Sequence, residues 1–199
     1  MVEYEFQIFC RDVDMSDDSF LDRLYEAGCD DALVSFKDGY VCLDFSRASE
    51  SAEDAVLSAI RDFGHSAVGG TIERIEPDDL ASLSEIARRT GVTRASLQKY
   101  ARGISKVGED FPQPAANISG ARRELYSAAE VINWMHAKER VVLPGHSTEL
   151  VNVIAKINQA LFVAKARKDD EINRLAAQLT AAGKVTNAQD DATKDVPAH

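Results

Sequence analysis

Hydrophobic and polar residues alternate along residues 3–11, with apolar side chains at every second position. This period of two predicts a half-buried β-strand. After Ser16 the apolar residues change to helical spacing, and Gly28 follows as a helix stop. The pattern then predicts strand, strand, helix and strand. These later elements are expected at 32–37, 40–45, 50–63 and 66–75.

The order of these elements, β-α-β-β-α-β, predicts a ferredoxin-like domain over residues 1–77. Asp38-Gly39 separates the middle strands and is typical of a two-residue hairpin turn. Gly64 is expected to end the second helix. Pro77-Asp78-Asp79 then predicts a turn at a domain boundary.

Two short helical patterns meet at Gly91 in the next segment, 83–100. Their small or apolar positions are Leu83, Ile86, Ala87, Val92 and Leu97. This arrangement predicts a helix-turn-helix, the motif that lays its second helix in the DNA major groove. Gly91 would allow a left-handed turn residue. Thr93 is a suitable N-cap for the second helix.

The residues after the helix-turn-helix predict a β-wing and a closing helix, which completes a domain over 80–143. The wing is expected between Phe111 and Tyr126. Ser127 is a good N-cap for the closing helix. Its apolar residues, which can pack back on the first two helices, are Val131, Ile132, Trp134 and Met135.

A single long helix is predicted over 147–182, beginning at Ser147 or Thr148. Its apolar residues follow heptad-like spacing that is interrupted over 167–170. A helix with so narrow an apolar stripe must pack on something. It is either a coiled coil that dimerises the chain or a helix that folds back on its own domain. The polar tail, 183–199, has the composition of a disordered segment.

Charge is distributed unevenly along the 199 residues, whose net charge is −10. Residues 1–79 hold 20 Asp and Glu against 6 Lys and Arg, a net −14. Residues 80–140 hold 10 Lys and Arg against 6 Asp and Glu, a net +4. Because binding to phosphates needs positive charge, the predicted helix-turn-helix lies in the one segment suited to DNA. The acidic N-terminal part should face away from it.

The polar side chains of the motif are the predicted DNA contacts. Arg94 and Ser96 are expected at base edges, since the first residues of a recognition helix reach deepest, and Gln98 can bond adenine. Thr93 caps a helix N-terminus that favours phosphate. Residues expected to bind phosphates are Arg88, Arg89, Lys99, Arg102 and Lys106, with Arg122 and Arg123 on the wing.

Enzymatic, metal-binding and membrane functions find little support in the sequence. The three cysteines and four histidines are scattered, so we expect no metal site, no cofactor and no catalytic residue. The cysteines are expected to be buried or half-buried thiols. No apolar run is long enough to span a membrane. We therefore expect a cytoplasmic, nucleoid-associated protein.

The runs SEIARRTGVTRASLQKYARG, FPQP and RRELYSAAEVINWM together resemble the MerR and AlpA (excisionase) winged helix-turn-helix superfamily. The resemblance covers residues 81–136. It implies sequence-specific binding to double-stranded DNA, usually as a dimer, by transcription regulators or recombination directionality factors. Tyr126 stands where the family more often has tryptophan. The acidic domain precedes the DNA-binding segment, unlike in MerR proteins, so sensing of an effector is not implied.

Two functions remain open from the sequence. The first is a homodimeric, DNA-binding transcriptional regulator that dimerises through its C-terminal helix. The second is an antitoxin-like or adaptor protein whose acidic N-terminal domain binds a basic protein partner. An enzyme built on the ferredoxin-like domain is the least supported interpretation, because this fold hosts many functions and no catalytic constellation accompanies it.

Overall fold

The computed structural model describes residues 1–16, 18–103, 108–118, 123–141 and 145–181. The protein is a mixed α+β structure. Met1–Asn158 forms one compact unit, and the chain from Gln159 belongs to a second. Among the described residues, no helix is both long enough and apolar enough to cross a bilayer.

The first half of the chain forms an antiparallel four-stranded sheet with two helices. In chain order its elements are β1 (Val2–Val13), α1 (Phe20–Glu26), β2 (Ala32–Lys37), β3 (Tyr40–Ser49), α2 (Ala52–His65) and β4 (Gly69–Glu76). The strands are ordered β2-β3-β1-β4, so β2 and β4 are the edges. The predicted hairpin is confirmed: Asp38 and Gly39 have φ of 51° and 81°, as a two-residue turn of this type requires.

One face of this sheet and the inner faces of the helices form the N-terminal core. Its large buried side chains include Phe6, Ile8, Phe20, Leu24, Leu43, Phe45, Val56, Phe63 and Ile75. Arg47 lies at its border with a 7% exposed surface. Its guanidinium donates to Asp31 and Asp62 at 2.8 and 2.6 Å. This buried cation therefore connects β3 to the residue that precedes β2 and to α2.

Two predicted helix boundaries are wrong. The helix expected after Ser16 begins only at Phe20, after Ser19, and the hydroxyl and amide of Ser16 both donate to Asp14. Gly64 does not end α2, which continues to His65. Glycine ends helices by taking a positive φ, and Gly64 does not adopt one.

All three thiols are buried, with exposures of 0% for Cys10 and 4% for Cys29 and Cys42. Burial raises the pKa of Cys10 to about 12 and that of Cys29 to about 11. Because thiolate is the reactive form, we expect a thiol reagent such as 5,5′-dithiobis(2-nitrobenzoate) to modify the native protein slowly at pH 8. In urea all three should react at once. Rapid native labelling of any cysteine would contradict this burial.

The second half of the compact unit forms a small sheet and three helices. In chain order its elements are β5 (Leu80–Ala81), α3 (Leu83–Thr90), α4 (Arg94–Ala101), β6 (Ala116–Ile118), β7 (Arg123–Ser127) and α5 (Ala128–Ala137). The strands are ordered β5-β7-β6 and pair antiparallel. Ser127 caps α5, as predicted, by accepting from the Glu130 amide at 3.1 Å.

The C-terminal part contains two helices where one was predicted over 147–182. They are α6 (Gly145–Ala166) and α7 (Asp170–Ala181). Asp169 separates them because its carboxylate accepts from the amides of Glu171 and Ile172 at 2.9 and 3.1 Å. This is the arrangement of an N-cap, which starts a new helix. The tail from residue 182 lies outside the described residues.

The first part of α6 packs on its own chain. Glu149 accepts from the Tyr4 hydroxyl at 3.2 Å and from the Ala52 amide at 3.1 Å. Asn158 bonds both backbone groups of Ile75 at 2.8 Å. Residues 145–158 thus brace the N-terminal sheet, so the alternative in which the helix folds back on its own chain holds for this part of it.

Candidate nucleic-acid interface

The segment from α3 to α4 is built by local capping. The hydroxyl of Ser82 accepts from the Glu85 amide at 3.2 Å and starts α3. Gly91 has a φ of 71° and ends it, which is the left-handed conformation expected from the sequence. Thr93 caps α4 by accepting from the Ser96 amide at 3.2 Å. The predicted cap and turn residue are therefore confirmed.

A compact apolar core fixes the position of these two helices. Ile86 and Leu97 are fully buried between α3, α4 and α5. Trp134 lies against two other rings, with centroids 5.3 Å from Tyr100 and 5.0 Å from Phe111. Its indole N–H also donates to the Glu109 carbonyl at 3.3 Å. These aromatic packing contacts stabilise the position of α4.

The outer face of α4 is positively charged and open. Arg94 and Lys99 of the helix are exposed, and so is Arg102, its C-cap residue. Within the described residues, none of these three side chains forms a hydrogen bond or an ion pair. The helix itself contains no acidic residue. These three cations are thus available to an external anion.

Two polar residues of α4 are less accessible than the sequence suggested. Gln98 and Ser96 are half-buried. The hydroxyl of Ser96 lies 2.8 Å from that of Thr93, so the Ser96 side chain takes part in the N-cap of α4. Arg94 is therefore the more accessible of the two residues predicted to reach base edges.

The arginines of α3 are held by a carboxylate. Arg88 bonds Glu85 through two nitrogens at 2.6 and 3.2 Å, and its side chain is 75% exposed. Arg89 bonds Glu85 at 3.1 Å and the Asp78 carbonyl at 2.7 Å. Its side chain is only 16% exposed. Arg88 stays at the surface, whereas Arg89 turns inward and leaves the predicted set of phosphate contacts.

This pairing lowers the pKa of the Glu85 carboxyl, and the effect can be tested. The hydrogen bonds from Arg88 and Arg89 lower the pKa of Glu85 to about 2. A carboxylate whose pKa is lower in the folded than in the unfolded state stabilises the fold fully above its unfolded-state pKa. This stabilisation is lost as the pH falls through the folded-state pKa. We therefore expect Glu85→Gln to lower the free energy of unfolding at pH 7 by less than about 1 kcal/mol, since the pair is partly exposed.

The pH dependence of the Glu85→Gln effect separates this cause from a packing defect. Urea unfolding of both proteins between pH 7 and pH 2 should show the difference shrinking below about pH 4.5. Glu130→Gln, at an exposed position of α5, is the matched control. A Glu85→Gln difference that stays constant down to pH 2 would contradict the ion-pair explanation.

The segment 78–79 belongs to this site, although the sequence suggested only a boundary turn. The Asp79 carboxylate accepts from the Ser127 hydroxyl at 3.0 Å and from the Ala129 amide at 2.8 Å. The Ala128 amide donates to the Asp79 carbonyl at 2.7 Å. An acidic residue at the N-terminus of α5 is favourable for the helix dipole, but its position 50 residues upstream hides it from local sequence patterns.

The remaining predicted DNA contacts are only partly described. The backbone of Arg123 begins β7, where Ile118 of β6 is its partner. Lys106 and Arg122 lie outside the described residues. The pairing of β6 with β7 produces a hairpin-like ladder between Phe111 and Tyr126, the segment where the wing was expected.

No protein family, curated protein or solved structure matches this chain. Within the part of the chain that the structure describes, no cluster of three or more potential ligands could hold a metal ion.

Proposed function

We propose that this protein is a sequence-specific, double-stranded-DNA-binding transcriptional regulator. The observation that carries the proposal is the exposed face of α4, where Arg94, Lys99 and Arg102 have no partner within the described residues. Desolvating three unpaired cations against an apolar surface would be costly. A polyanion with regularly spaced phosphates is the ligand that such a face favours.

The proposed binding mode places α4 in the major groove. Arg94, in the first turn, would reach a base edge, most favourably guanine O6 and N7. Lys99 and Arg102 would contact phosphates, as would Arg88 once released from Glu85. The β6–β7 ladder would act as the wing. The α3-turn-α4 geometry, the ladder and the capped α5 support a winged helix-turn-helix interpretation.

The N-terminal part supports the proposed ferredoxin-like interpretation through its strand order β2-β3-β1-β4. In this proposal it is a modulatory domain. Residues 1–79 carry 20 acidic side chains, and their charge would orient them away from DNA. The proposal includes no catalytic residue or cofactor, and a protein that binds DNA in this way would be associated with the nucleoid.

Dimerisation is proposed through the C-terminal helices. The apolar side chains of α7, at spacings of three and four, are Ile172, Leu175 and Leu179, and all are exposed. A stripe of this kind suits pairing with a second copy. A two-fold dimer predicts an operator with inverted half-sites separated by one helical turn or more.

Selection from a random duplex library tests sequence specificity directly. Repeated capture with the full chain should enrich one motif, arranged as an inverted repeat. Arg94→Ala should relax the selected base at one position in each half-site, by about 1–3 kcal/mol. Arg61→Ala, an exposed arginine of α2, should leave the motif unchanged. A library that shows no enrichment after repeated rounds would overturn sequence-specific binding.

A second candidate function is an antitoxin-like or adaptor role, in which the N-terminal domain binds a protein. The observation favouring it is that at least three of the six cations of residues 1–79 bond groups within the same part of the chain. Arg47 bonds Asp31 and Asp62, Arg74 bonds Glu76, and Arg23 bonds a backbone carbonyl. The outward charge is therefore strongly negative, which favours a basic partner.

A further inference from the structure

The two edge strands of the N-terminal sheet differ in whether their outer backbone groups have hydrogen-bond partners. At β4, Asn158 donates to the Ile75 carbonyl and accepts from the Ile75 amide, each at 2.8 Å. A side-chain amide thus occupies backbone groups that a further strand would need. At β2, the other edge, no strand pairs with the outer side in the described part of the chain.

β2 also lacks the features by which proteins protect an edge. Its six residues pair regularly with β3, from Ala32 opposite Phe45 to Lys37 opposite Tyr40, with no bulge. It contains no proline and one charge, at its end. Leu33 and Phe36 are 77% and 62% exposed. Long, regular, apolar edges are normally blocked by charge, bulges or proline, because they invite pairing.

A pocket of about 450 Å³ lies at the hairpin end of this strand. Phe36, Met15, Val13 and Val41 supply apolar lining, and Met15 is itself half exposed. A strand added beside β2 would place alternate side chains on the face where Phe36 lies. One of them could enter the pocket. Proteins that bind an added strand gain affinity from backbone hydrogen bonds and selectivity from pockets for its side chains.

The charges near the edge indicate what kind of strand fits. Asp30 precedes β2, Asp44 stands opposite Leu33, and Asp12 and Asp38 line the pocket. Lys37 is the one cation of β2. A second copy of this domain would add 20 more acidic side chains beside these, whereas a basic segment would be attracted.

We propose that β2 receives an extended, basic segment of a partner protein, which adds a fifth strand and places an apolar side chain in the Phe36 pocket. This inference rests on the second candidate function, protein binding by the N-terminal domain. It is independent of DNA binding by α4. The partner segment should alternate apolar residues with lysine or arginine and contain no proline.

Fluorescence anisotropy with the full chain and synthetic peptides tests the proposal. The probe is a labelled nine-residue peptide that alternates valine and lysine, compared with a version carrying glutamate for lysine and one with proline at the central valine. We expect binding of the first peptide only. Phe36→Ala should weaken it about tenfold, while Leu57→Ala, at an exposed position of α2, should not.

Amide shifts of the ¹⁵N-labelled full chain locate the bound peptide. Shifts concentrated at residues 32–37 and at the pocket support the proposal. Binding of the lysine peptide with shifts elsewhere on the domain would overturn the β2 site but leave protein binding intact. If the lysine peptide does not bind at millimolar concentration, both the β2 site and protein binding by the N-terminal domain are overturned. Light scattering could instead give the mass of a self-associated species for the unmodified chain and of a monomer for Phe36→Ala. That result would show that a second copy occupies the edge, and it would overturn the basic partner.

Discussion

Replacing Arg94 and Lys99 with alanine together should lower the affinity for duplex DNA on the order of a hundredfold at 0.15 M salt. Both cations are exposed and unpaired within the described residues, so the free protein loses no stabilising contact. A base contact from arginine contributes about 1–3 kcal/mol. Each lost phosphate contact also reduces the slope of log K against log salt by about 0.9.

The matched control removes the same charge elsewhere. Arg61→Ala with Lys156→Ala changes two exposed cations on α2 and α6 and should change affinity little. Anisotropy titrations at two salt concentrations give both the affinity and the slope. An equal loss in the two double variants would attribute binding to net charge and would contradict a role for the α4 face.

Arg47→Met should destabilise the fold by about 3 kcal/mol, the largest stability effect expected from a single polar residue. The guanidinium donates to Asp31 twice at 2.8 Å, and at 2.6 Å both to Asp62 and to the Gly28 carbonyl. Removing it leaves two neighbouring carboxylates without their cation. Urea unfolding measures the loss, and Arg61→Met is the exposed control.

A triple variant distinguishes the ion cluster from side-chain packing. Asp31→Asn and Asp62→Asn, added to Arg47→Met, remove the uncompensated charges and should recover part of the lost stability. Recovery near zero would mean that Arg47 acts through the packing of its guanidinium, whose carbon lies 4.9 Å from the Phe45 ring centre.

Features governed by neighbouring residues could be predicted from the sequence. The Asp38-Gly39 turn, the left-handed Gly91 and the caps at Thr93 and Ser127 all follow local rules and are confirmed. Their physical cause lies within three or four residues of the pattern that reveals it. The exposed cations of α4 follow from the same helical periodicity.

Features governed by distant contacts could not be predicted. Glu149 meets Tyr4 across 145 positions of sequence, and Asn158 meets Ile75 across 83. Arg89 turns inward because its guanidinium donates a hydrogen bond to the backbone carbonyl of Asp78. The single C-terminal helix was wrong for a different reason: the interruption of the apolar pattern over 167–170 is a break between two helices, at which Asp169 caps the second one.

The most direct test of the central claim is an anisotropy titration of the full chain against two duplexes, the DNA upstream of its own gene and a scrambled duplex of equal length. Each titration is run at 0.1 and 0.2 M salt. We expect tight, salt-dependent binding to the upstream duplex, on the order of a thousandfold tighter than to the scrambled one. Weak binding of equal strength to both duplexes would contradict a sequence-specific regulator and leave α3 and α4 without a role in DNA recognition.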